Sequence, residues 1–248
     1  MLELIEAGLP APARGVFSTR TGGVSASPWA SLNLAVHVDD AHGKVQQNRA
    51  LLADHLGVAG LAFAKQVHGR GVRVVRGLSN KTARGLDDTD GLVTSEPGLA
   101  LVVLGADCPP VLLTAVSGAA VVAAAHVGRQ GLVKGVLTEV VRVMRDQGAV
   151  AISAVVGPGI CGHCYEVPGS MAGEAEKIAP GSRSRTRRGT TSIDLAAGCV
   201  SVLGALGVAA TSVGGCTLEQ PERFFSYRRD GRTGRQAGVV WLPDTSAP

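Results

Sequence analysis

Residues 108 to 125 read CPPVLLTAVSGAAVVAAA, a stretch without a single charge. Its length raises the question of a membrane span, which needs about 20 apolar residues. Pro109, Pro110, Ser117 and Gly118 interrupt it, and two buried strands, VLLTAV (111–116) and AAVVAAA (119–125), joined by a turn fit better. That reading places a hairpin in the middle of the chain and makes the protein a globular sheet structure. A three-residue loop, Val116-Ser117-Gly118, with Gly118 in the left-handed region would pair Ala115 with Ala119. Followed down the ladder, this register sets Cys108 opposite His126 on one face, with Cβ atoms about 5 Å apart. A two-residue Ser117-Gly118 loop would instead send them to opposite faces. Pro109 and Pro110 donate no hydrogen bonds, so the pairing can fray before Cys108.

Outward from the hairpin, VRVV (72–75), GLALVVLG (98–105) and AISAVVG (151–157) are further strand candidates bounded by Gly and Pro. Apolar spacing of three to four residues predicts helices over 43–56, 131–147 and 194–206. Strands outnumber helices without strict alternation, which points to a mixed α+β sandwich rather than a doubly wound sheet. No repeat and no linker-like stretch divides the 248 residues, so one domain spanning 1–248 is expected. Aromatics make up only 3% of the chain, and the core must therefore be built from Val, Ala and Leu.

The amino terminus, MLELIEAGLP, lacks a basic segment ahead of an apolar run. A cytoplasmic protein with no membrane partner is expected. The net charge of +4 is concentrated in GSRSRTRRGT and in five arginines between Arg223 and Arg235. No aromatics interleave to stack bases in the first cluster, which reads as a solvated basic loop rather than a nucleic-acid site. Five cysteines, an odd number, suggest thiols used for metal binding or catalysis rather than a disulfide framework.

Cys161-Gly-His-Cys164 has the spacing of a dithiol redox centre. Such a centre needs its first cysteine at the start of a helix, whose positive end lowers the thiol pKa. Pro158-Gly159 ahead and Pro168-Gly169 behind leave no room for that helix, which argues against a dithiol oxidoreductase. The zinc deaminase pattern is absent as well, since no histidine has Glu two places on. More telling are QVHG (66–69), ADCPP (106–110) and AAHVG (124–128), which put His68, Cys108 and His126 at strand edges beside Gly or Pro. One thiol and two imidazoles form a metal-ligand set, although each alone also reads as an ordinary buried cysteine or a hydrogen-bonded histidine.

At these motifs the chain resembles the laccase-domain purine nucleoside phosphorylase family of the YfiH type, formerly called multicopper polyphenol oxidases. The matches run in order through FSTRTGGVS (17–25), SLNLAVHVDD (31–40), KQVHG (65–69), DGLVT (90–94), LGADCPPVLL (104–113), AAAHVGRQG (123–131), VGPGICGHCYEVP (156–168), CT (216–217) and FFSYRRDGRTGR (224–235). The resemblance implies a single-domain α+β sandwich of the YfiH-like type. It implies zinc, sometimes copper, held by His68, Cys108 and His126, and it assigns Cys161 and Cys164 to a structural or pocket-lining turn. It also implies phosphorolysis of adenosine, inosine and methylthioadenosine, with deamination of adenosine.

Three protein ligands leave a fourth position for water or substrate, as at catalytic zinc sites. Asp107, beside Cys108, is the carboxylate nearest in sequence for moving a proton. Arg20, Arg228 and Arg229 suit a bidentate grip on phosphate. Asn33 would bond a sugar hydroxyl or cap backbone. The expected partners are a nucleoside and phosphate, with no nucleic acid, and a monomer is favoured. Editing of a cell-wall precursor, by hydrolysis of a wrongly added serine from a UDP-muramyl intermediate, is a rival within the same family. Copper-dependent oxidation of phenols is another, for which only His37, His42, His55 and His163 remain to build further metal sites. The chain departs from the family where His-Ala-Gly-Trp-Arg-Gly is usual, having His126-Val-Gly-Arg129-Gln130-Gly131. That difference bears on the pocket wall and on substrate preference.

Overall fold

The computed structural model describes residues 1–244 and is built on two facing sheets. One contains β1 (Leu4–Glu6), β2 (Arg14–Ser18), β3 (Gly60–Phe63), β6 (Leu99–Gly105) and β13 (Gln236–Trp241), in the order β1-β2-β13-β6-β3. The other contains β4 (Val72–Val74), β5 (Gly91–Thr94), β7 (Pro110–Ala115), β8 (Val122–His126), β9 (Ile152–Val156) and β12 (Ala209–Ser212), in the order β12-β9-β7-β8-β5-β4. A short ribbon, β10 (Arg183–Arg185) with β11 (Thr191–Ile193), stands apart. Both main sheets mix antiparallel pairs with parallel ones, β3 beside β6 in the first and β4 beside β5 in the second.

The apolar runs are continuous because the central strands are covered on both faces. Along β6, Leu101 and Val103 face the opposite sheet and pack with Leu112, Val122, Ala124 and Val240. The alternate residues Ala100, Val102 and Leu104 pack outward with Leu52 of α1 (His42–Leu56). Along β7, Val111 and Leu113 turn the other way, toward a helical layer made of α3 (Arg129–Lys134), α4 (Val136–Asp146), α5 (Gly169–Ile178) and α6 (Leu195–Ala205). Two short helices, α2 (Asn80–Arg84) and α7 (Tyr227–Asp230), complete the chain. The result is an α+β sandwich of two sheets between helices, as the order of strands and helices implied. Among the described residues no helix is long and apolar enough to cross a membrane.

The central hairpin forms, in a different register from the one expected. Pro110, not Cys108, lies opposite His126, and Ala115 donates its N–H to Val121 rather than pairing with Ala119. The turn widens because its residues bond to a neighbouring loop: Ala119 donates to Gly148 O, and Val150 donates to Ser117 O. Gly118 does adopt a positive φ of 85°. The slip is by two residues, which preserves the faces of the strands.

The single helix expected over 131–147 is two. Gly135, at φ 84°, closes α3 through its N–H to Gly131 O and Leu132 O and then starts α4. Pro168-Gly169, which read as helix breakers, begin α5 instead, because proline lacks only an N–H that the first turn does not use.

Candidate metal centre and its cavity

Three connections converge at one end of the sandwich. His126 is the last residue of β8, Cys108 lies between β6 and β7, and His68 lies in the loop after β3. The loop is shaped by Asp90, just before β5. Asp90 Oδ2 accepts the backbone N–H groups of Val67 (3.2 Å) and Gly69 (2.7 Å), and Oδ1 accepts that of His68 (3.0 Å). These bonds hold His68 at φ 55°, an uncommon conformation for a residue with a side chain. The same Oδ1 accepts His126 Nδ1–H at 2.9 Å, which leaves His126 Nε2 to face Cys108.

The ligand atoms of His68, Cys108 and His126 all lie within 4.8 Å of one another. Cys108 Sγ is 3.9 Å from His68 Nε2, and the two imidazole rings meet edge to face with centroids 4.8 Å apart. Gly128 closes the back of the group. A Cβ there would stand 2.9 Å from both Cys108 Sγ and His68 Cδ2, so only glycine leaves the ligands their room. His126 is buried while His68 is exposed, which gives the group one closed side and one open side.

Electrostatics prepare the thiol. Burial alone would push the Cys108 pKa up, but hydrogen bonds from His126 and His68 outweigh it and bring the value down to about 6. Burial would lower His126, but its bonds to Asp90 and Cys108 raise it to about 9. Asp90 is held below the usual carboxylate range, because the bonds from His126 and the backbone outweigh the opposing effect of burial. One soft thiolate and two imidazoles, open toward a cavity, fit a zinc ion with a free fourth position, and they suit copper as well.

The open side faces a cavity of about 370 Å³, within the size range of small-molecule sites. Its walls include His37, Gln66, Asp107, Tyr165, Tyr227, Arg228 and Arg235 as well as His68, Cys108 and His126. Gln66 is pinned to β6 by exchanging two 2.7 Å hydrogen bonds with the Leu104 backbone. Burial, followed by the charges of Arg235 and Arg49, lowers the His37 pKa and favours its neutral form.

The site residues expected from sequence fall into two sets. Arg228 lines the cavity, donating Nη1 to Glu166 O and lying 5.0 Å from the Tyr165 ring. Asp107 lines it too, but Oδ1 accepts the Thr217 hydroxyl at 2.7 Å and Oδ2 the Arg228 N–H at 2.7 Å. The carboxylate thus anchors the start of α7. Arg20, Arg229 and Asn33 are not on the cavity wall. Arg20 donates to Ala30 O and Pro221 O and stacks on Phe225. Arg229 donates to Thr217 O, Phe224 O and its neighbour Asp230. Asn33 is fully buried, accepting from the Ala35 and Arg235 N–H groups and donating to Asp40, so its amide organises backbone.

Sequence reasoning passed over Asp90, Tyr165, Tyr227 and Arg235, and raised His37 only as a spare histidine for further metal sites. All five sit inside the matched motifs, but nothing in their spacing separates a cavity residue from its neighbours. At the departure from the family pattern, Arg129 is largely buried and bonds Glu174 of α5 at 2.9 Å, so its guanidinium ties two helices together outside the cavity. Cys161 and Cys164 sit on a tight turn closed by Cys164 N–H to Cys161 O; no helix starts at either cysteine, and α5 begins only at Gly169. Burial, then neighbouring thiols and Glu219, push the pKa of Cys164 up, and burial with Cys216 does the same to Cys161. This is the reverse of what an attacking dithiol requires.

The model of the family described as "Multi-copper polyphenol oxidoreductase laccase" matches residues 14–243. A purine nucleoside phosphorylase of Corynebacterium glutamicum is 45% identical over 237 residues, which cover 94% of this chain and 95% of that protein. Among solved structures, Neisseria meningitidis protein NMB0706 superposes with a TM-score of 0.83 at 33% identity, over 97% of this chain and 99% of that one. Bacillus licheniformis YfiH does so with a TM-score of 0.84 at 29% identity, over 93% and 92%.

Proposed function

The chain belongs to the multi-copper polyphenol oxidoreductase laccase family, and on that premise we propose that it is a purine nucleoside phosphorylase acting in the cavity beside Cys108. The observation that carries this reading is the pairing of two features in one cavity: an open-sided Cys-His-His group and, on the wall, Arg228 and Arg235 with Tyr165 and Tyr227. The substrates are adenosine, inosine or methylthioadenosine together with phosphate. Relatives named purine nucleoside phosphorylase support the reaction class.

In phosphorolysis a phosphate oxygen forms a bond to C1′ of the ribose while the bond from C1′ to the purine nitrogen breaks. The leaving base takes up a proton. Arg228 and Arg235 supply the fixed positive charge and forked donors that hold phosphate for attack. Arg235 is half-buried, and its Nη1 is already directed by Thr233 O and Gly234 O, so little side-chain freedom is left to lose on binding. The Tyr165 and Tyr227 rings offer faces for the purine. His68, Cys108 and His126 would hold zinc, and a bound zinc would act as a Lewis acid and activate water at neutral pH. Asp90 fixes the His126 ring so that Nε2 serves as the ligand atom. Asp107, tied by Thr217 and the Arg228 N–H, keeps Arg228 at the wall. Deamination of adenosine is a second outcome for the same cavity, requiring water in place of phosphate.

Incubation of the purified chain with adenosine, with and without phosphate, tests the reading. Phosphate-dependent release of adenine and ribose 1-phosphate, lost in His68→Ala, is the expected result. Production of inosine alone, independent of phosphate, would reassign the protein as a deaminase. No turnover of any purine nucleoside by the zinc-loaded chain would end the proposal.

A further inference from the structure

Among the described residues one other group brings metal-ligating atoms together: Cys161, Cys164, Cys216 and Glu219, all within 4.8 Å of one another. The spacing has a pattern. Cys161-x-x-Cys164 and Cys216-x-x-Glu219 are two loops that each offer ligands at i and i+3, as paired ligand loops do in four-coordinate zinc sites. The loops are docked side by side. Gly159 and Cys216 form a parallel bridge, and Thr217 N–H donates to Gly159 O at 3.1 Å.

Within the first loop, Cys164 N–H donates to Cys161 O at 2.9 Å, closing a tight turn. The Cys161 N–H is directed at Cys216 Sγ at 3.5 Å. N–H groups aimed at sulfur stabilise thiolate ligands. Glu219 Oε1 accepts both Nε and Nη2 of Arg187, at 2.9 and 2.7 Å, so the carboxylate is oriented and part of the negative charge of the group is balanced. Three thiols cannot all be paired as disulfides, and all five cysteines of the chain are free.

We propose that Cys161, Cys164, Cys216 and Glu219 form a second metal site, a structural one for zinc, separate from the cavity. Four protein ligands leave no open position, which distinguishes it from the catalytic kind. On coordination the thiol protons pass to solvent and thiolate–zinc bonds form at about 2.3 Å. The site would brace the cavity from behind. Thr217, next to Cys216, bonds Asp107; Ile160, next to Cys161, donates its N–H to Asp107 O; and Tyr165, next to Cys164, lines the cavity.

The test uses the full chain with the first site disabled, as His68→Ala/Cys108→Ser. That variant keeps all four ligands of the second group, so a cobalt signal from it reports that group alone. Reduced, metal-free and titrated with Co²⁺, it should take up one equivalent, with the thiolate-to-cobalt charge-transfer absorption and the visible bands of tetrahedral cobalt. Addition of Cys216→Ser should abolish both signals. The zinc-loaded unmodified chain should carry two equivalents by elemental analysis and the Cys161→Ser/Cys216→Ser variant one. Absence of a tetrahedral thiolate signal in the His68→Ala/Cys108→Ser chain, or a disulfide among Cys161, Cys164 and Cys216 in protein purified without oxidant, overturns it.

Discussion

Asp90 Oδ1 lies 2.9 Å from His126 Nδ1 and, on the same oxygen, 3.0 Å from the His68 backbone N–H. One buried carboxylate therefore sets the ring orientation of His126 and the backbone position of His68, two of the three candidate ligands. Asp90→Asn keeps the shape but sets an amide N–H against donors that need an acceptor. Metal affinity should fall by about 10- to 100-fold, the usual effect of losing a carboxylate behind a ligand histidine, while the circular dichroism spectrum is unchanged. Asp90→Ala should also cost about 3 kcal/mol of stability, because it breaks a buried ionic pair. Competition against a chelator and a thermal melt read the two effects. Unchanged affinity in Asp90→Asn would remove Asp90 from the site.

Cys108 should be the reactive thiol of the metal-free protein. Alkylation needs the thiolate, and a depressed pKa means that the thiolate persists until pH falls through the folded-state value. With that value at about 6, the rate should be level from pH 7 to 9 and drop by half near pH 6. An ordinary thiol would still be gaining rate through about pH 8.5. Cys161 and Cys164, whose pKa values are raised, should label slowly over the same range. Mass spectrometry of peptides alkylated across the pH series reads the midpoint, and one above pH 8 at Cys108 would rule out its pairing with His126. Zinc loading should protect it.

The sandwich was legible in sequence wherever strands are buried on both faces, since β6 reads as an unbroken apolar run and β7 and β9 as uncharged ones interrupted only by Thr114 and Ser153. Strands with glycine or mixed polarity, such as β2 and β13, gave no such pattern; there glycine serves close approach between sheets, a Cβ at Gly238 meeting Pro110 Cβ at 2.6 Å. The three motif residues His68, Cys108 and His126 were legible because of their chemistry. The hairpin register that first placed Cys108 opposite His126 was off by two residues, since contacts of the turn with residues 148–150 are tertiary and leave no local mark. Among the arginines, residue type alone could not separate Arg228, on the cavity wall, from Arg20 and Arg229, which bond backbone carbonyls elsewhere.

That separation is open to measurement. Arg228→Ala and Arg235→Ala should each raise the KM for phosphate about tenfold or more, the loss expected for one charge-assisted contact of about 1.5–3 kcal/mol. Arg229→Ala removes donors from Thr217 O and Phe224 O and should lower the melting temperature while leaving the phosphate KM within about twofold. Steady-state kinetics with varied phosphate decide between them, and an equal rise in KM for all three variants would contradict the assignment.

Gly128→Ala separates the needs of the metal from those of the fold. Gly128 has φ −83° and ψ 171°, a conformation that alanine adopts freely, so the backbone has no objection to a side chain. The added Cβ would lie 2.9 Å from Cys108 Sγ and from His68 Cδ2, closer than van der Waals contact allows, and both ligands must retreat. Metal affinity at this site should fall at least tenfold while stability changes by about 1 kcal/mol or less, the scale of exchanging glycine for alanine at a helix N-cap. Gly135→Ala is the opposite case. At φ 84° alanine is strained, although a Cβ there meets nothing closer than Thr138 at 3.8 Å. This variant should lose more than 1 kcal/mol of stability and retain its metal. Melting curves and chelator competition on the two variants give a crossed result if Gly128 is there for the ligands, and parallel losses if it is there for the helix.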